Sequence, residues 1–195
     1  MSTETETKPL TYRDLRKFCG EGGLTFDDRR PFALGGFCWA TDACILVRVP
    51  YEGPDSVPRP GEVKFPDAWI AWNGKIGPPT GKFQSDGEFV PLLPDPAIQS
   101  VACWVCDSGR YICNACDDDQ KCPCCYGVGK VYWPRTMFIG TAKIQTRYYE
   151  LIRTLPNPTF VIPGPGDELN SISFRFDGGE GLLMPLAKEP GDGDS

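Results

Sequence analysis

Seven of the ten cysteines fall between positions 103 and 125, and six of these form three C-x-x-C pairs: Cys103/Cys106, Cys113/Cys116 and Cys122/Cys125. Cys124 is the seventh. A C-x-x-C turn aims two thiolates at one ion, and a glycine just after it lets backbone N–H groups swing toward the sulfurs without a Cβ clash. The first pair leads into Gly109, and the last into Gly127-Val128-Gly129. Fifteen residues separate Cys106 from Cys122, so the outer pairs follow the C-x2-C-x15-C-x2-C spacing of a tetrahedral zinc site. The middle pair runs into Asp117-Asp118-Asp119 and has no glycine turn. Cys113 and Cys116 therefore stand as alternates to the outer pairs, and Cys124 with a distant cysteine is a route to a second site. A disulfide framework is the rival reading. It needs an oxidising compartment, whereas the first residues, Met-Ser-Thr-Glu-Thr-Glu-Thr-Lys, are polar and acidic and unlike a signal peptide. With no histidine in the chain, a zinc site here is all thiolate. Catalytic zinc keeps a position open for water, so this cluster reads as a structural staple.

Composition narrows the function further. The formal net charge is −6, which argues against a basic surface coating nucleic acid but leaves room for a local basic patch. A hydrophobic content of 41% supports one core of ordinary domain size. No apolar run approaches the length of a membrane span, and a soluble chain with no membrane partner is expected. The absence of histidine removes the commonest general base and the Ser-His and Cys-His nucleophile arrangements. There is no Walker A sequence and no G-x-G-x-x-G after a strand, and the chain is expected not to be an enzyme.

Along the chain, residues 1–9 and 188–195 are polar and expected to be disordered. A first helix is predicted after Thr11, with Asp14 completing a capping box, Leu10 and Leu15 as a hydrophobic staple, and Cys19-Gly20 at its end. Strands are predicted over Phe32–Trp39 and Ala43–Val49. A Pro- and Gly-rich stretch follows, and the metal module spans about 101–130. A strand is predicted over Val131–Ile139. Thr146 caps a second predicted helix, whose Tyr148, Leu151, Ile152 and Leu155 recur at helical spacing, and Pro156 stops it. Three strands close the chain: Thr159–Ile162, Ser171–Phe176 and Gly181–Leu186, with a hairpin turn at Asp177-Gly178-Gly179. The expected organisation is a first half over 10–65, an insertion over 66–132 and a second half over 133–187, forming an α+β layered domain.

Three segments resemble the bacterial DNA polymerase sliding clamp. Trp39-Ala40-Thr41-Asp42-Ala43-Cys44-Ile45-Leu46 resembles its V-A-T-D-G-H-R-L turn between strands. Lys143-Ile-Gln-Thr-Arg147-Tyr148-Tyr149-Glu-Leu151 resembles the N-x-R-Y-L-x-D-x-L pattern of a clamp helix, and Gly181-Leu182-Leu183-Met184-Pro185-Leu186 resembles the terminal V-x-M-P-M-R strand. The departures are that Ala43-Cys44-Ile45 replaces Gly-His-Arg and Leu186-Ala187 replaces the final Met-Arg. The resemblance implies an α+β, single sliding-clamp-like domain, two helices on a curved antiparallel sheet, with an inserted Cys-rich zinc module. It implies a peptide pocket at Thr41, Leu46, Leu182, Met184, Pro185 and Leu186. It also implies phosphate contacts from Arg13, Arg16 and Lys17 on the first helix and Arg147 and Arg153 on the second.

The function so implied is a non-enzymatic clamp-like accessory protein of DNA replication or repair, phage-related in style. It would work in the cytoplasm of a bacterium or a phage-infected host cell. Its partners would be a peptide of a DNA polymerase or another replication or repair protein, and DNA itself. A ring of roughly six head-to-tail copies, or a monomer or dimer, are both compatible with a one-domain chain. The alternative is a zinc-knuckle adaptor whose Cys-rich module binds a protein or nucleic-acid partner. The glycine-turn knuckles resemble the C-x-x-C-x-G-x-G units of the DnaJ chaperone zinc domain. Trp104, Tyr111, Tyr126, Tyr132 and Trp133 are then available to stack on bases or fill a peptide groove.

Overall fold

Strands dominate because β-branched and aromatic residues alternate with a period of two through both ends of the chain. The computed structural model describes residues 10, 12–20, 30–56, 87–106, 108–112 and 119–187. The strands are β1 (Phe32–Leu34), β2 (Phe37–Thr41), β3 (Ile45–Pro50), β4 (Phe89–Pro91), β11 (Thr159–Val161), β12 (Ile172–Phe176) and β13 (Gly179–Leu183) in one seven-stranded sheet. Their order is β1-β2-β3-β13-β12-β11-β4, and every pairing is antiparallel. Three small two-stranded sheets complete the strand set. These are β5 (Gln99–Ala102) with β8 (Lys130–Trp133), β6 (Arg110–Ile112) with β7 (Asp119–Lys121), and β9 (Thr136–Ile139) with β10 (Ala142–Gln145).

The main core lies on one face of the large sheet. Cys38, Ala40, Ile45, Val47, Val49, Phe160, Ile172, Phe174, Phe176 and Leu183 bury against Ile139, Ala142 and Ile144 of the β9–β10 hairpin. Helix α2 (Thr146–Arg153) adds Tyr148, Tyr149 and Ile152, followed by Leu155, and the N-terminal turn adds Leu15 and Phe18. Each of the larger apolar side chains, fully buried, contributes about 1.5–3 kcal/mol. The opposite face carries a smaller cluster of Phe32, Trp39, Leu46 and Leu182. On that face Arg48, 1% exposed, lies 4.3 Å from the Phe37 ring centroid, and its guanidinium bonds the Glu180 carboxylate across the β3–β13 pairing.

The two-helix clamp-like architecture is not what the chain builds. The fold is mostly β, and α2 is the one helix of more than a single turn among the described residues. The first predicted helix shrinks to one α-turn, α1 (Tyr12–Leu15), continued by a 3-10 turn over Arg16–Phe18. Only eight residues separate Thr11 from Gly20, too few for a helix stable by itself, and burial of Leu15 and Phe18 fixes the turn instead. β3 pairs directly with β13, from Ile45 opposite Leu183 to Arg48 opposite Glu180, so both ends share one continuous sheet.

Local chemistry explains the remaining differences. The strand predicted over Phe32–Trp39 is a hairpin, because Gly35 and Gly36 take left-handed φ values of 62° and 80° and turn the chain. The strand predicted over Val131–Ile139 is two strands, interrupted at Pro134, which has no N–H for a ladder. Thr146 opens α2 as its first helical residue, while Gln145 holds the cap position without a side-chain cap. The tails 1–9 and 188–195 and the cap residue Thr11 lie outside the described residues, as does most of the Pro- and Gly-rich stretch.

Candidate metal centre and the cleft beside it

The Cys-rich module is two knuckles that brace each other. β5 delivers Cys103 and Cys106, after which Ser108 and Gly109 turn the chain at φ 52° and 98° into β6. β7 delivers Cys122 and Cys125, after which Tyr126, Gly127 and Gly129 turn it at φ 53°, 83° and 77° into β8. The supporting hydrogen bonds cross. Cys103 N–H donates to the Gly129 carbonyl at 2.9 Å, and Cys122 N–H donates to the Gly109 carbonyl at 2.8 Å. A Cβ on Gly109 would sit 2.2 Å from the Gly127 carbonyl oxygen, so the two turns are in contact backbone to backbone.

This bracing brings four thiols together. The Sγ atoms of Cys103, Cys106, Cys122 and Cys125 all lie within 4.8 Å of one another, so the cluster can hold a metal ion. Cys103 and Cys122 are 3.7 Å apart, and Cys106 and Cys125 are 3.5 Å apart. Cys103, Cys122 and Cys125 are buried and Cys106 is half-buried. Gly129 N–H donates to Cys125 Sγ at 3.3 Å, as a glycine turn allows. Burial opposes ionisation of Cys103, but the Val105 N–H and the neighbouring thiols outweigh it and draw its pKa down to about 6. Burial and competition for that same charge push Cys106 up to about 12. Cys103 is thus readily available as a thiolate, and an ion must displace the proton of Cys106. Cys124 packs half-buried beside the cluster, and Cys113 and Cys116 lie outside the described residues.

Aromatic side chains stand in solvent around the centre. Trp104 is 69% exposed, Trp133 68% and Tyr126 54%, with Val101 and Val105 also exposed. Tyr132 is half-buried. Between the module and the body lies a cleft of about 210 Å³ whose walls include Tyr126, Lys130, Tyr132, Arg135, Gln145 and Arg147. Arg147 is held on several sides. Its Nε donates to Gln145 Oε1 at 2.7 Å, and its guanidinium stacks 4.0 Å from the Tyr126 centroid and 4.3 Å from the Tyr148 centroid. Tyr148 in turn donates its hydroxyl to Asp42 Oδ2 at 2.6 Å, and burial followed by the nearby Asp42 carboxylate raises its pKa far above the ordinary value. Asp42 also accepts the Cys44 and Ile45 N–H groups through Oδ1, so the Thr-Asp turn is pinned locally and to the helix.

The other expected site residues are scattered. Thr41, Leu46 and Leu182 are buried, with Leu46 directly opposite both Leu182 and Thr41 in the sheet. Met184 is 38% exposed, Pro185 is half-buried, and Leu186 borders the cleft described above. Arg16 is exposed. Lys17 Nζ donates to Thr154 Oγ1 at 2.5 Å, and Arg153 pairs with Glu150 at 2.7 Å. Arg13 lies in α1, and Tyr111 lies in β6. Lys130, Arg135 and Gln145 escaped the sequence reading. Lys130 and Arg135 flank the aromatic pair Tyr132-Trp133, a basic–aromatic interleaving that could have marked them.

Among the described residues, no helix is long and apolar enough to cross a membrane. Comparison of the chain with protein-family models, curated proteins and solved structures finds no match.

Proposed function

We propose that the chain is a non-enzymatic adaptor. One structural Zn²⁺ on Cys103, Cys106, Cys122 and Cys125 stiffens the double knuckle, and the aromatic side chains around it bind a macromolecular partner. Zinc suits the donor set. Four thiolates with no histidine are a structural zinc constellation, and a tetrahedral ion with Zn–S near 2.3 Å separates its sulfurs by about 3.8 Å. The cross-knuckle separations of 3.7 and 3.5 Å already approach that value. Bound there, the ion supplies rigidity, because four protein ligands leave no position for water or substrate.

The observation that carries the adaptor reading is the exposure of Trp104, Tyr126 and Trp133 on a module too small to need them as core. Large aromatic groups left in solvent beside a rigid scaffold mark a binding surface. The test has two parts. Elemental analysis of chain prepared without chelators gives one zinc per chain. A labelled single-stranded DNA, the first partner to try, binds the zinc-loaded chain, and Trp104→Ala/Trp133→Ala loses that binding while keeping the metal. Metal-free protein, or iron in place of zinc, overturns the zinc assignment. Partner binding that ignores both tryptophans overturns the aromatic surface.

A further inference from the structure

The cleft between the module and the body has a property that the net charge of the chain conceals. Three cations, Lys130, Arg135 and Arg147, line it beside Cys124 and Cys125 of the thiol cluster, and among the described residues no carboxylate does. Lys130 opens β8 and Arg135 follows its end, both with exposed side chains, while Arg147 comes from the first turn of α2. The α2 N-terminus reinforces them. Gln145 and Arg147, which bracket its first residue, both line the cleft. That N-terminus has no side-chain cap and no acidic residue in its first turn, so its positive dipole end is unneutralised by its own sequence. Asp42 offsets Arg147 only in part, at 3.9 Å from the guanidinium. Gathering like charges costs free energy, and an anion in the cleft removes that cost.

We propose that this cleft binds a phosphate group, with the Tyr126 and Tyr132 rings beside it to receive an attached sugar or base. The inference rests on the adaptor reading and gives its partner a chemistry. At about 210 Å³ the cleft is smaller than a typical drug-sized pocket, and it suits one nucleotide unit rather than a larger ligand. Lys130 and Arg135 supply the charge, and Arg147, fixed by Gln145 and stacked on Tyr126, presents a guanidinium with little ordering left to lose. Two sources carry this chemistry, a free phosphomonoester and the backbone of a single-stranded nucleic acid.

The experiment uses the zinc-loaded full chain and a fluorescent oligothymidylate of about ten nucleotides, long enough to span an aromatic and cationic surface of this kind. The double variant Lys130→Gln/Arg135→Gln alters two exposed side chains and leaves the fold intact. Its affinity should drop about tenfold or more, and the log-log salt slope should become shallower by about 1.4, two contacts at roughly 0.7 each. Arg147→Lys, which keeps the charge but loses the planar stack, should weaken binding less than the double variant. Displacement by thymidine 5′-monophosphate or inorganic phosphate at matched phosphate concentration assigns the cleft to free phosphomonoesters. Resistance to displacement assigns it to the polymer, and either outcome supports a phosphate site. Wild-type affinity in the double variant, or no binding of any of the three probes, overturns it. Binding lost in Trp104→Ala/Trp133→Ala but kept in the double variant overturns the cleft alone and leaves the adaptor reading standing.

Discussion

At the scale of single residues, the four-thiol cluster depends on atoms that are not sulfur. Gly109 is at φ 98°, and its missing side chain is where the Gly127 carbonyl passes. Gly109→Ala should therefore cost the module about 2 kcal/mol or more, combining left-handed strain with a backbone clash, and should lower metal occupancy as elemental analysis reads it. The thiols set a pH window. Cys103 has its pKa drawn down to about 6, so it ionises before any metal arrives, and the stability its charge confers is lost as pH falls through that value. Cys106, pushed up to about 12, carries its proton at neutral pH and must release it to bind an ion. Metal binding should thus liberate protons near neutral pH, and a chromophoric chelator should strip the metal progressively faster as pH drops below about 6. The cluster of four thiols was legible from sequence because its spacing and its glycines are local. The cleft was not, because Lys130, Gln145, Arg147 and Leu186 meet only through the folded chain, and a net charge of −6 hides a basic concavity.

At the scale of elements, alternation identified the strands but not their breaks or neighbours. Ser171-Ile-Ser-Phe-Arg-Phe reads as half-buried, and β12 buries Ile172, Phe174 and Phe176 on the core face while Arg175 is exposed. The β3–β13 pairing joins residues more than 130 apart, and no local pattern encodes it. That pairing sets Leu46, one of the residues of the peptide pocket that the clamp resemblance implied, directly opposite Leu182, another of them. They face each other inside the smaller cluster, 6% and 5% exposed. Leu182→Glu should accordingly cost about 3 kcal/mol or more, enough to abolish a cooperative urea transition. Met184→Glu lies beyond the strand end on a half-open surface, and its unfolding free energy should fall by only about 0.5 kcal/mol. Equal effects from the two would mean that Met184 is core.

At the scale of the whole molecule, the centre of the metal module and the sheet are separate cores. Cys103, Cys122 and Cys125 form a cluster that shares no residue with the twenty buried positions of the main core. Removing the metal should therefore unfold one and spare the other. Hydrogen exchange after chelation should show protection lost over residues 101–106, 108–112 and 119–131 and kept in β3, β12 and β13, with most of the far-ultraviolet signal unchanged. Collapse of the entire sheet would show instead that the two cores are one cooperative unit. The crossed hydrogen bonds, Cys103 to Gly129 and Cys122 to Gly109, have a consequence in time as well as in space. Neither knuckle can swing open without letting go of the other, so a half-ligated ion finds no stable waypoint. The rate at which an ion leaves is then the rate at which the module opens, and it should level off rather than climb as more scavenger is added. A site of this kind acts as a slow lock, holding its ion through encounters far briefer than its own opening.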